Sequence, residues 1–468
     1  MPIGDLAPEI AVLIAAVAAI LWASFASRHL QPGGAAIAIA GLALAAALLV
    51  RQVGQVQFTF SGTWTLDGAG LWMRLMIVAA TALSILMAPA WFTTDRRHGE
   101  IYPILLLSAL GAMGMAGAGD LLQLMISVLL SSVTGYTLAA WHRDWALSVE
   151  AGIKYFLLGA LANALLVTGI VLVIGMLGTT GYGDLTARIA EGSPTPLLIA
   201  GFALILVGLC FKLGAVPGHA WVPDVAEGAP GPVAAFLTIV PKLAAALALA
   251  RLMALAPVDM PGVRPLVAVL SAATMTLGNL AALWQQDLRR LLGWSSVAQA
   301  GYALMAVAVI GQSGDAVMAL LAFLLSYTVG NLAAFAVVVH LRGRTDIADY
   351  AGLARQQPAA AVVLVLALLS LTGIPPLIGF VGKFTLFMTV IDGNFMWLAL
   401  VAAANTVASL FYYARVMATI YFDPPGNPVE TLGRGSAVAM WTAGIATILA
   451  TLLAGPLLSA FGSAALLP

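Results

Sequence analysis

Charged residues are scarce in this chain. Only 9% of its 468 residues are Asp, Glu, Lys or Arg, whereas 62% are hydrophobic. Soluble globular chains are about 25% charged and about half apolar, so the composition excludes a soluble enzyme as well as a disordered chain. The single cysteine, Cys210, excludes a disulfide scaffold, and the formal net charge of zero argues against a nucleic-acid partner. A polytopic membrane protein remains.

Motifs that hold cofactors are also missing from the sequence. It contains no glycine-rich phosphate loop and no cluster of cysteine or histidine suited to iron–sulfur, haem or zinc. Nucleotide, flavin and metal chemistry are therefore not expected in this chain. Energy for any transport must come from a partner or from an ion gradient.

Long apolar stretches, in contrast, fill the sequence. A transmembrane helix requires about 20 mostly apolar residues. Fourteen such stretches, numbered here as spans 1 to 14, lie near residues 8–27, 34–50, 69–92, 101–119, 121–141, 150–176, 196–216, 231–256, 264–284, 290–311, 315–341, 358–391, 395–421 and 436–460. They lack the ten-residue alternation of a β-barrel, so we predict an all-α polytopic membrane fold. A short alternating run at 56–65 predicts an extramembrane hairpin between spans 2 and 3.

The arginines predict the orientation of the chain in the membrane. With fourteen spans, the odd-numbered loops share one side and carry ten arginines, whereas the even-numbered loops carry three. The ten are Arg28, Arg96, Arg97, Arg143, Arg289, Arg290, Arg342, Arg344, Arg355 and Arg434, and the three are Arg51, Arg188 and Arg264. The positive-inside rule places the odd loops in the cytoplasm and both termini outside, on the periplasmic side.

The spacing of the spans suggests an internal repeat. Spans 9 to 13 begin about 165 residues after spans 4 to 8, respectively. Because five spans are an odd number, the second copy would be inverted, as in many transporters whose sites lie where helices break near the midplane. Coincidence among evenly spaced helices is the alternative. The predicted division is an N-terminal three-helix segment with the hairpin, two five-helix repeats and a C-terminal helix, at residues 1–100, 101–256, 257–421 and 422–468.

Lysine and arginine are distributed differently. All four lysines lie inside apolar spans, whereas thirteen of the sixteen arginines lie in loops. The lysines are Lys154, Lys212, Lys242 and Lys383. The three arginines within spans, which we expect to reach interfaces or to pair with loop acids, are Arg74, Arg251 and Arg415. Arginine stays charged in any protein setting, but a buried lysine can release its proton, and charge at mid-membrane usually serves a function.

Prolines accompany three of these lysines. Pro217 follows Lys212, Pro241 directly precedes Lys242, and Pro375 and Pro376 precede Lys383. Each proline frees a backbone carbonyl four residues earlier, which is tolerated in a membrane only where protein or water satisfies it. The freed carbonyls are those of Leu213, Leu237, Leu371 and Thr372. The pattern predicts broken helices and internal wet pockets beside the lysines.

A row of such lysines can relay protons. Two unit charges about 7 Å apart at an effective dielectric of about 20 interact by about 2.4 kcal/mol, so the charge on one lysine affects proton binding at the next. The alternative is that each lysine snorkels to the interface or pairs permanently with an acid. Snorkelling explains lysines near span ends but is a poor account of four out of four.

Three further polar residues, Glu150, His219 and Asp224, lie near these lysines. Glu150 and Lys154 are four residues apart at the start of span 6, where they form either an ordinary helix-surface pair or a site of proton uptake. His219 and Asp224 follow the break in span 7. His219 either passes protons at neutral pH or caps freed carbonyls.

Four motifs resemble those of the antiporter-like membrane subunits of the bacterial proton-pumping NADH:quinone oxidoreductase, respiratory complex I. They are FKLGAVPGHAWVPDVAEGAPGPV at 211–233, EAGIKYFLLGA at 150–160, RLLGWSSVAQAGY at 290–302 and GIPPLIGFVGKF at 373–384. The resemblance is closest to the subunit N group, because Lys242 stands where subunits L and M usually carry histidine. The chain also ends just after span 14, without the long lateral helix of subunit L.

The resemblance implies a role for each of these residues. Lys212 would be the central lysine of a first half-channel, Lys242 the connecting lysine and Lys383 the lysine of the exit half, while Glu150 and Lys154 match the acid and base of span 6. The neighbours would be other membrane subunits of the complex, and flavin, iron–sulfur clusters and quinone would be held by partners. The location implied is the bacterial inner membrane.

Two positions depart from the family pattern. The family normally has a glutamate in span 5, and Val128 stands in its place; Asp120, at the edge of the span, is the nearest acid in that segment. Gly218 stands where the family often has phenylalanine. Because of Val128, three alternatives stay open: the chain uses Glu150 as the acid, pumps with altered coupling, or is a structural subunit that does not pump. A cation/proton antiporter or a hydrogenase-linked pump subunit is a further alternative.

Overall fold

The computed structural model describes residues 2–192, 195–426 and 430–468, and in this part of the chain a helix long and apolar enough to cross a membrane lies in thirteen of the fourteen predicted spans, all except span 12. Twelve of them each contain one long helix: α1 (Ala7–Phe25), α2 (Gly33–Val50), α3 (Gly68–Trp91), α4 (Ile101–Ala116), α5 (Leu121–Ala139), α6 (Ala146–Leu177), α10 (Gly231–Leu255), α11 (Val263–Leu283), α12 (Leu288–Ala308), α13 (Ala316–His340), α17 (Met396–Phe422) and α18 (Arg434–Leu452). Spans 7 and 12 are each made of two pieces: α8 (Pro196–Leu213) with α9 (Trp221–Gly228), and α15 (Pro358–Thr372) with α16 (Ile378–Asp392).

Beside these spans, the described residues include a β-hairpin, three short α-helices and four 3-10 helices, Ile3–Leu6, Arg28–Leu30, His98–Glu100 and Ile347–Tyr350. The predicted hairpin is present as strands β1 (Gln57–Thr59) and β2 (Trp64–Leu66), which pair antiparallel. Three short helices were not anticipated: α7 (Tyr182–Glu191), α14 (Leu353–Gln356) and α19 (Ala454–Gly462). Helix α7 connects spans 6 and 7 and buries only one face, through Tyr182, Leu185 and Ile189. A short half-polar helix of this kind gives no membrane-span signal.

Glycine and proline together end the broken helices. Helix α8 ends at Gly214 with φ of 73°, and α15 ends at Gly373 with φ of 90°, a left-handed conformation that favours glycine. Pro217 lies in the linker that follows Gly214, and Pro375 and Pro376 in the linker that follows Gly373. The prediction of breaks in spans 7 and 12 is therefore confirmed. Pro241, in contrast, lies inside the continuous helix α10.

Helix α10 lies at the centre of the molecule. It packs against α3, α4, α8, α12 and α13, and every residue of its most apolar stretch is buried. Its one lysine, Lys242, consequently has protein on every side. The two broken spans fall one in each predicted repeat, but the inverted relation between the repeats and the domain boundaries stay predictions.

Each of the three arginines within spans forms hydrogen bonds or an ion pair with other groups of the protein. Arg251 forms a buried pair with Asp67 through Nη1 to Oδ2 at 2.7 Å and Nη2 to Oδ1 at 2.9 Å. Arg74 pairs with Glu9 of span 1 at 3.2 Å, and Arg415 donates to backbone carbonyls including that of Leu283. Only Arg251 meets the expectation of a loop acid partner, because Arg74 is buried against an acid of span 1 and the described bonds of Arg415 go to backbone carbonyls.

The Arg251–Asp67 pair ties the C-terminal tail to the membrane core, since Asp67 also accepts from the backbone N–H of Leu467 at 2.8 Å. We expect Asp67→Asn to destabilise the protein by about 3–5 kcal/mol, because it leaves the Arg251 charge buried and uncompensated. Thermal unfolding of the purified complex in detergent measures this. Glu150→Gln, in an exposed ion pair, is the control and should cost less than about 1 kcal/mol. Equal losses in both variants would contradict the prediction.

Candidate functional site

Three of the four lysines lie deep inside the protein. The residues Lys212 on α8, Lys242 on α10 and Lys383 on α16 are 1%, 3% and 4% exposed, and we call them the lysine row. Among the described residues, no carboxylate lies within 4.0 Å of their nitrogens, since the ion pairs found involve other cations. These three side chains therefore do not extend to the membrane surface, and none of them is paired with a fixed counter-ion.

Lys212 faces helix α5. Its Nζ lies 3.5 Å from Oγ of Ser131, and 5.8 Å from the ring centre of Tyr155 on α6. Val128 lies three residues before Ser131 on α5 and is fully buried. Residues three apart share a helix face, so Val128 is on the side of α5 that meets the lysine. The carboxylate expected there from the family is replaced by a hydroxyl and an isopropyl group.

Lys242 donates a hydrogen bond to a backbone carbonyl at the break in span 7. Its Nζ donates to the carbonyl of Leu213 at 2.7 Å and to the carbonyl of Ser296 on α12, also at 2.7 Å. The first of these is a carbonyl that the proline pattern marks as freed. Lys242 therefore bridges the end of α8, next to Lys212, to a helix of the second half of the chain.

Lys383 binds the break in span 12 in the same way. Its Nζ donates to the carbonyl of Thr372 at 2.9 Å and lies 4.5 Å from the ring centre of Tyr302. The neighbouring carbonyl of Leu371, also predicted to be freed, accepts from the amide Nε2 of Gln299 at 3.2 Å. Two lysines and a buried amide thus satisfy three carbonyls released by prolines.

Buried polar side chains form a hydrogen-bonded group near Lys242, whose Nζ lies 5.7 Å from the ring centre of Tyr327. Hydroxyl groups of Ser296 and Tyr327 are 2.8 Å apart, and Tyr327 donates to the carbonyl of Thr238 at 2.7 Å. Asn331 donates to both Tyr327 and Thr238 at 3.2 Å. The sequence interpretation missed these residues, although an asparagine within an apolar span was a signal that could have identified one of them.

Lys154 departs from the expected burial. Its side chain is 44% exposed and pairs with Glu150 at 2.6 Å and Asp224 at 3.0 Å. Arg290 in turn binds Asp224 at 2.8 Å and Glu227 at 2.6 Å. These five residues form one surface cluster at the ends of α6, α9 and α12. The pair of Glu150 and Lys154 is therefore not an isolated helix-surface pair, and Asp224 joins it to the second piece of span 7.

His219 lies in the linker between α8 and α9. Its ring is half-buried, stands 5.9 Å from that of Trp294, and keeps a buried Nδ1 without a hydrogen-bond partner. It is not brought into the lysine row by any hydrogen bond in the described part of the chain. Gly218, the other departure from the family, packs on the backbone of Phe211, where an added Cβ would lie 2.6 Å from Cα. A phenylalanine does not fit there in this arrangement.

Carbonyl acceptors suit a lysine that must change its charge. An ammonium and a neutral amine both carry N–H donors, so each form of the side chain can keep a bond to the same carbonyl. A carboxylate neighbour, in contrast, would hold the ammonium form by about 4 kcal/mol at 4 Å and an effective dielectric of 20. The geometry can therefore accommodate both protonation states. In the described residues, no group of three or more His, Cys, Asp or Glu is placed to hold a metal ion.

Comparison with known proteins identifies the family to which the chain belongs. The sequence profile described as NADH:quinone oxidoreductase/Mrp antiporter, transmembrane, matches residues 118–409, which include the whole lysine row. The chain belongs to this family. The NADH-quinone oxidoreductase subunit N of Mycobacterium sp. (strain JLS) is 41% identical over 459 residues, covering 96% of each chain. The resemblance to the subunit N group found in the motifs is thereby confirmed.

Two solved structures share the whole fold of this chain. A chain of respiratory complex I from Thermus thermophilus with bound aureothin has a TM-score of 0.84 at 31% identity, covering 97% of this chain and 99% of that one. A chain of the Mrp complex from Dietzia sp. DQ12-45-1b has a TM-score of 0.87 at 22% identity, covering 99% and 97%. The second likeness shows the fold alone. The polytopic membrane architecture predicted from the sequence is that of the family.

Proposed function

We propose that the chain is a proton-translocating membrane subunit of NADH:quinone oxidoreductase in the bacterial inner membrane. Protons pass along the lysine row, driven by quinone reduction in partner subunits that carry the flavin and iron–sulfur clusters. This chain supplies no redox centre. Its neighbours are the other membrane subunits, and its termini face the periplasm, as the arginine distribution favours.

One observation carries the proposal: the three buried lysines bind helix-break carbonyls or hydroxyls, and among the described residues none has an acid partner. A buried charge without a counter-ion is expensive in a membrane and is retained where it serves transport. The surface cluster of Glu150, Lys154 and Asp224 lies on the same side as the arginine-rich loops and would take up protons there.

Lys242→Met tests the junction between the two halves. We expect the assembled complex to pump fewer protons per electron, because no titratable group then joins Lys212 to Lys383. The carbonyls of Leu213 and Ser296 lose their donor, which should also cost about 1–3 kcal/mol of stability. Proteoliposomes with a pH-sensitive dye and a quinone assay give the proton-to-electron ratio. An unchanged ratio would remove Lys242 from the path.

A structural subunit that conducts nothing is the second candidate, and Val128 is the observation that favours it. If the role of the lysines is purely structural, replacing all three of them should leave the proton-to-electron ratio unchanged. The neighbouring genes would distinguish a cation/proton antiporter or a hydrogenase-linked subunit from the leading proposal. An NADH:quinone oxidoreductase operon also encodes flavin and iron–sulfur subunits, and their absence would favour one of these other two.

A further inference from the structure

Four arginines line an open cavity of about 740 Å³, which we call the arginine cavity. They are Arg96, Arg97, Arg143 and Arg342, and each lies close to the end of a span helix. All four belong to odd-numbered loops, so the positive-inside rule places the cavity at the cytoplasmic surface of the membrane. The cavity is separate from the lysine row, because no member of the row lines it.

The arginine cavity has an excess of positive charge. Two aspartates, Asp95 and Asp144, also line it, so two positive charges stay unbalanced when histidine is counted as neutral. Asp95 accepts from Nε1 of Trp141 at 2.8 Å and from the backbone N–H of Arg97 at 2.9 Å. Among the described residues, none of the four arginines forms an ion pair with an acid. Arginines that share a cavity repel one another, so a bound anion would stabilise this arrangement.

Tryptophans hold two of these arginines in place. Arg97 donates from Nη2 to the carbonyl of Trp141 at 2.9 Å, and its guanidinium carbon lies 5.0 Å from the centre of that ring. Arg342 donates from Nη1 to the carbonyl of Trp91 at 3.2 Å and lies 4.8 Å from the centre of that ring. Both tryptophans are buried. A guanidinium carries five N–H donors, so each of these arginines keeps donors for the oxygens of a phosphate, which arginine binds in a paired geometry.

A second cavity, of about 650 Å³, adjoins the first and follows the first turns of α6. The two cavities share Arg143 and Asp144. The second is otherwise lined by the apolar residues Ala146, Val149 and Ile153 and by Glu150 and Lys154, which pair with each other. At 1.5 Å per residue, Ile153 lies about 10 Å further along the helix than Ala146. An apolar surface that leads from the arginines along a span suits an acyl chain and gives nothing to a free phosphate ion.

We propose that the arginine cavity binds the phosphodiester group of an anionic phospholipid, whose acyl chain lies in the apolar cavity along α6. Tryptophans at span ends mark the depth at which lipid headgroups lie, and basic pockets between membrane helices on the cytoplasmic side suit anionic headgroups. The bound lipid offsets the excess charge and joins the linkers that follow spans 3, 5 and 11. This inference goes beyond proton translocation and does not depend on it.

Photolabelling of the purified complex in phosphatidylcholine nanodiscs tests the proposal. The probe is phosphatidylglycerol with a diazirine in one acyl chain, present as a minor component, and mass spectrometry locates the label. We expect labelling within residues 141–160. The double variant Arg97→Gln with Arg342→Gln should reduce it by about tenfold or more, because each arginine near an anionic headgroup adds about fivefold to binding. The matched control is Arg355→Gln with Arg434→Gln, which removes two exposed arginines of odd-numbered loops outside the cavity and should leave the labelling unchanged.

Each other outcome overturns the proposal in a distinct way. Equal labelling of the wild-type protein and the cavity variant, or equal labelling by a phosphatidylcholine probe, would mean that the arginines do not select the lipid. Displacement of the label by inorganic phosphate as readily as by dihexanoyl phosphatidylglycerol would assign the cavity to a free anion. Absence of label from 141–160 in the wild-type complex is the result expected if another subunit covers the cavity.

A second variant keeps the test decisive if the first does not assemble. Arg143 is exposed and, in the part of the chain that the structure describes, its side chain makes no hydrogen bond or ion pair, so Arg143→Gln should not affect folding. We expect it to reduce labelling of 141–160 by about fivefold. Labelling equal to that of the wild-type complex would overturn the proposal.

Discussion

Complexes that carry Lys212→Met are expected to assemble in normal amounts and to pump fewer protons per electron. Methionine matches the length of the lysine stem and is apolar, so it suits a fully buried site. The lysine makes only one weak bond, to Ser131 at 3.5 Å, and its loss leaves no strong acceptor unpaired. Removal of a positioned proton-transfer group typically slows transfer by about 10²–10⁴-fold, which stops translocation through this subunit.

Lys383→Met should have the same effect from the other end of the row. Its stability cost is larger, about 1–3 kcal/mol, because the carbonyl of Thr372 loses its donor in a buried site. If the two variants differ in stability but have the same pumping defect, the defect comes from the loss of proton transfer and not from the loss of stability.

The measurement is the proton-to-electron ratio in proteoliposomes, with the amount of assembled complex determined in parallel. Lys154→Gln is a comparison from outside the row and not a neutral control, because its side chain is 44% exposed and lies in the surface cluster proposed to take up protons. We expect its ratio to fall by less than half as much. Normal ratios in both Lys212→Met and Lys383→Met would defeat the relay hypothesis and favour a structural subunit.

Local chemistry explains why the fold and the breaks could be predicted from the sequence. Span length follows from bilayer thickness, and α8 and α15 each end at a glycine that is followed by proline within three residues. The same rule identified the carbonyls of Leu213, Leu371 and Thr372 as acceptors before their partners were known. Leu237 was marked in the same way, but Pro241 lies within a continuous helix, and there the carbonyl bound by Tyr327 is that of Thr238.

The partners of the lysines could not be predicted, because they come from remote segments. Ser131 lies 81 residues from Lys212, and Ser296 lies 54 residues from Lys242. A sequence pattern shows that a residue is apolar or polar, but not which distant helix it will face. The exposure of Lys154 was missed for a related reason: a span signal does not distinguish a helix face toward protein from one toward its surface.

Val128→Glu should be tolerated only while Lys212 is present. The new carboxylate would lie on the face of α5 that meets Lys212, one turn from Ser131. An ammonium and a carboxylate about 4 Å apart at an effective dielectric of about 20 attract by about 4 kcal/mol, which offsets much of the cost of burying the acid. The single variant should therefore assemble to within about a factor of two of the wild-type protein.

The double variant Val128→Glu with Lys212→Met should assemble poorly. A buried carboxylate without its cation costs about 3–5 kcal/mol, enough to reduce the ratio of folded to unfolded protein by more than about 100-fold. Quantification of the assembled complex in membranes, with Lys212→Met alone as the control, measures the coupling between the two positions. Equal assembly of the single and double variants would mean that position 128 does not face the lysine, and that the absent glutamate was never this lysine's partner in the present fold.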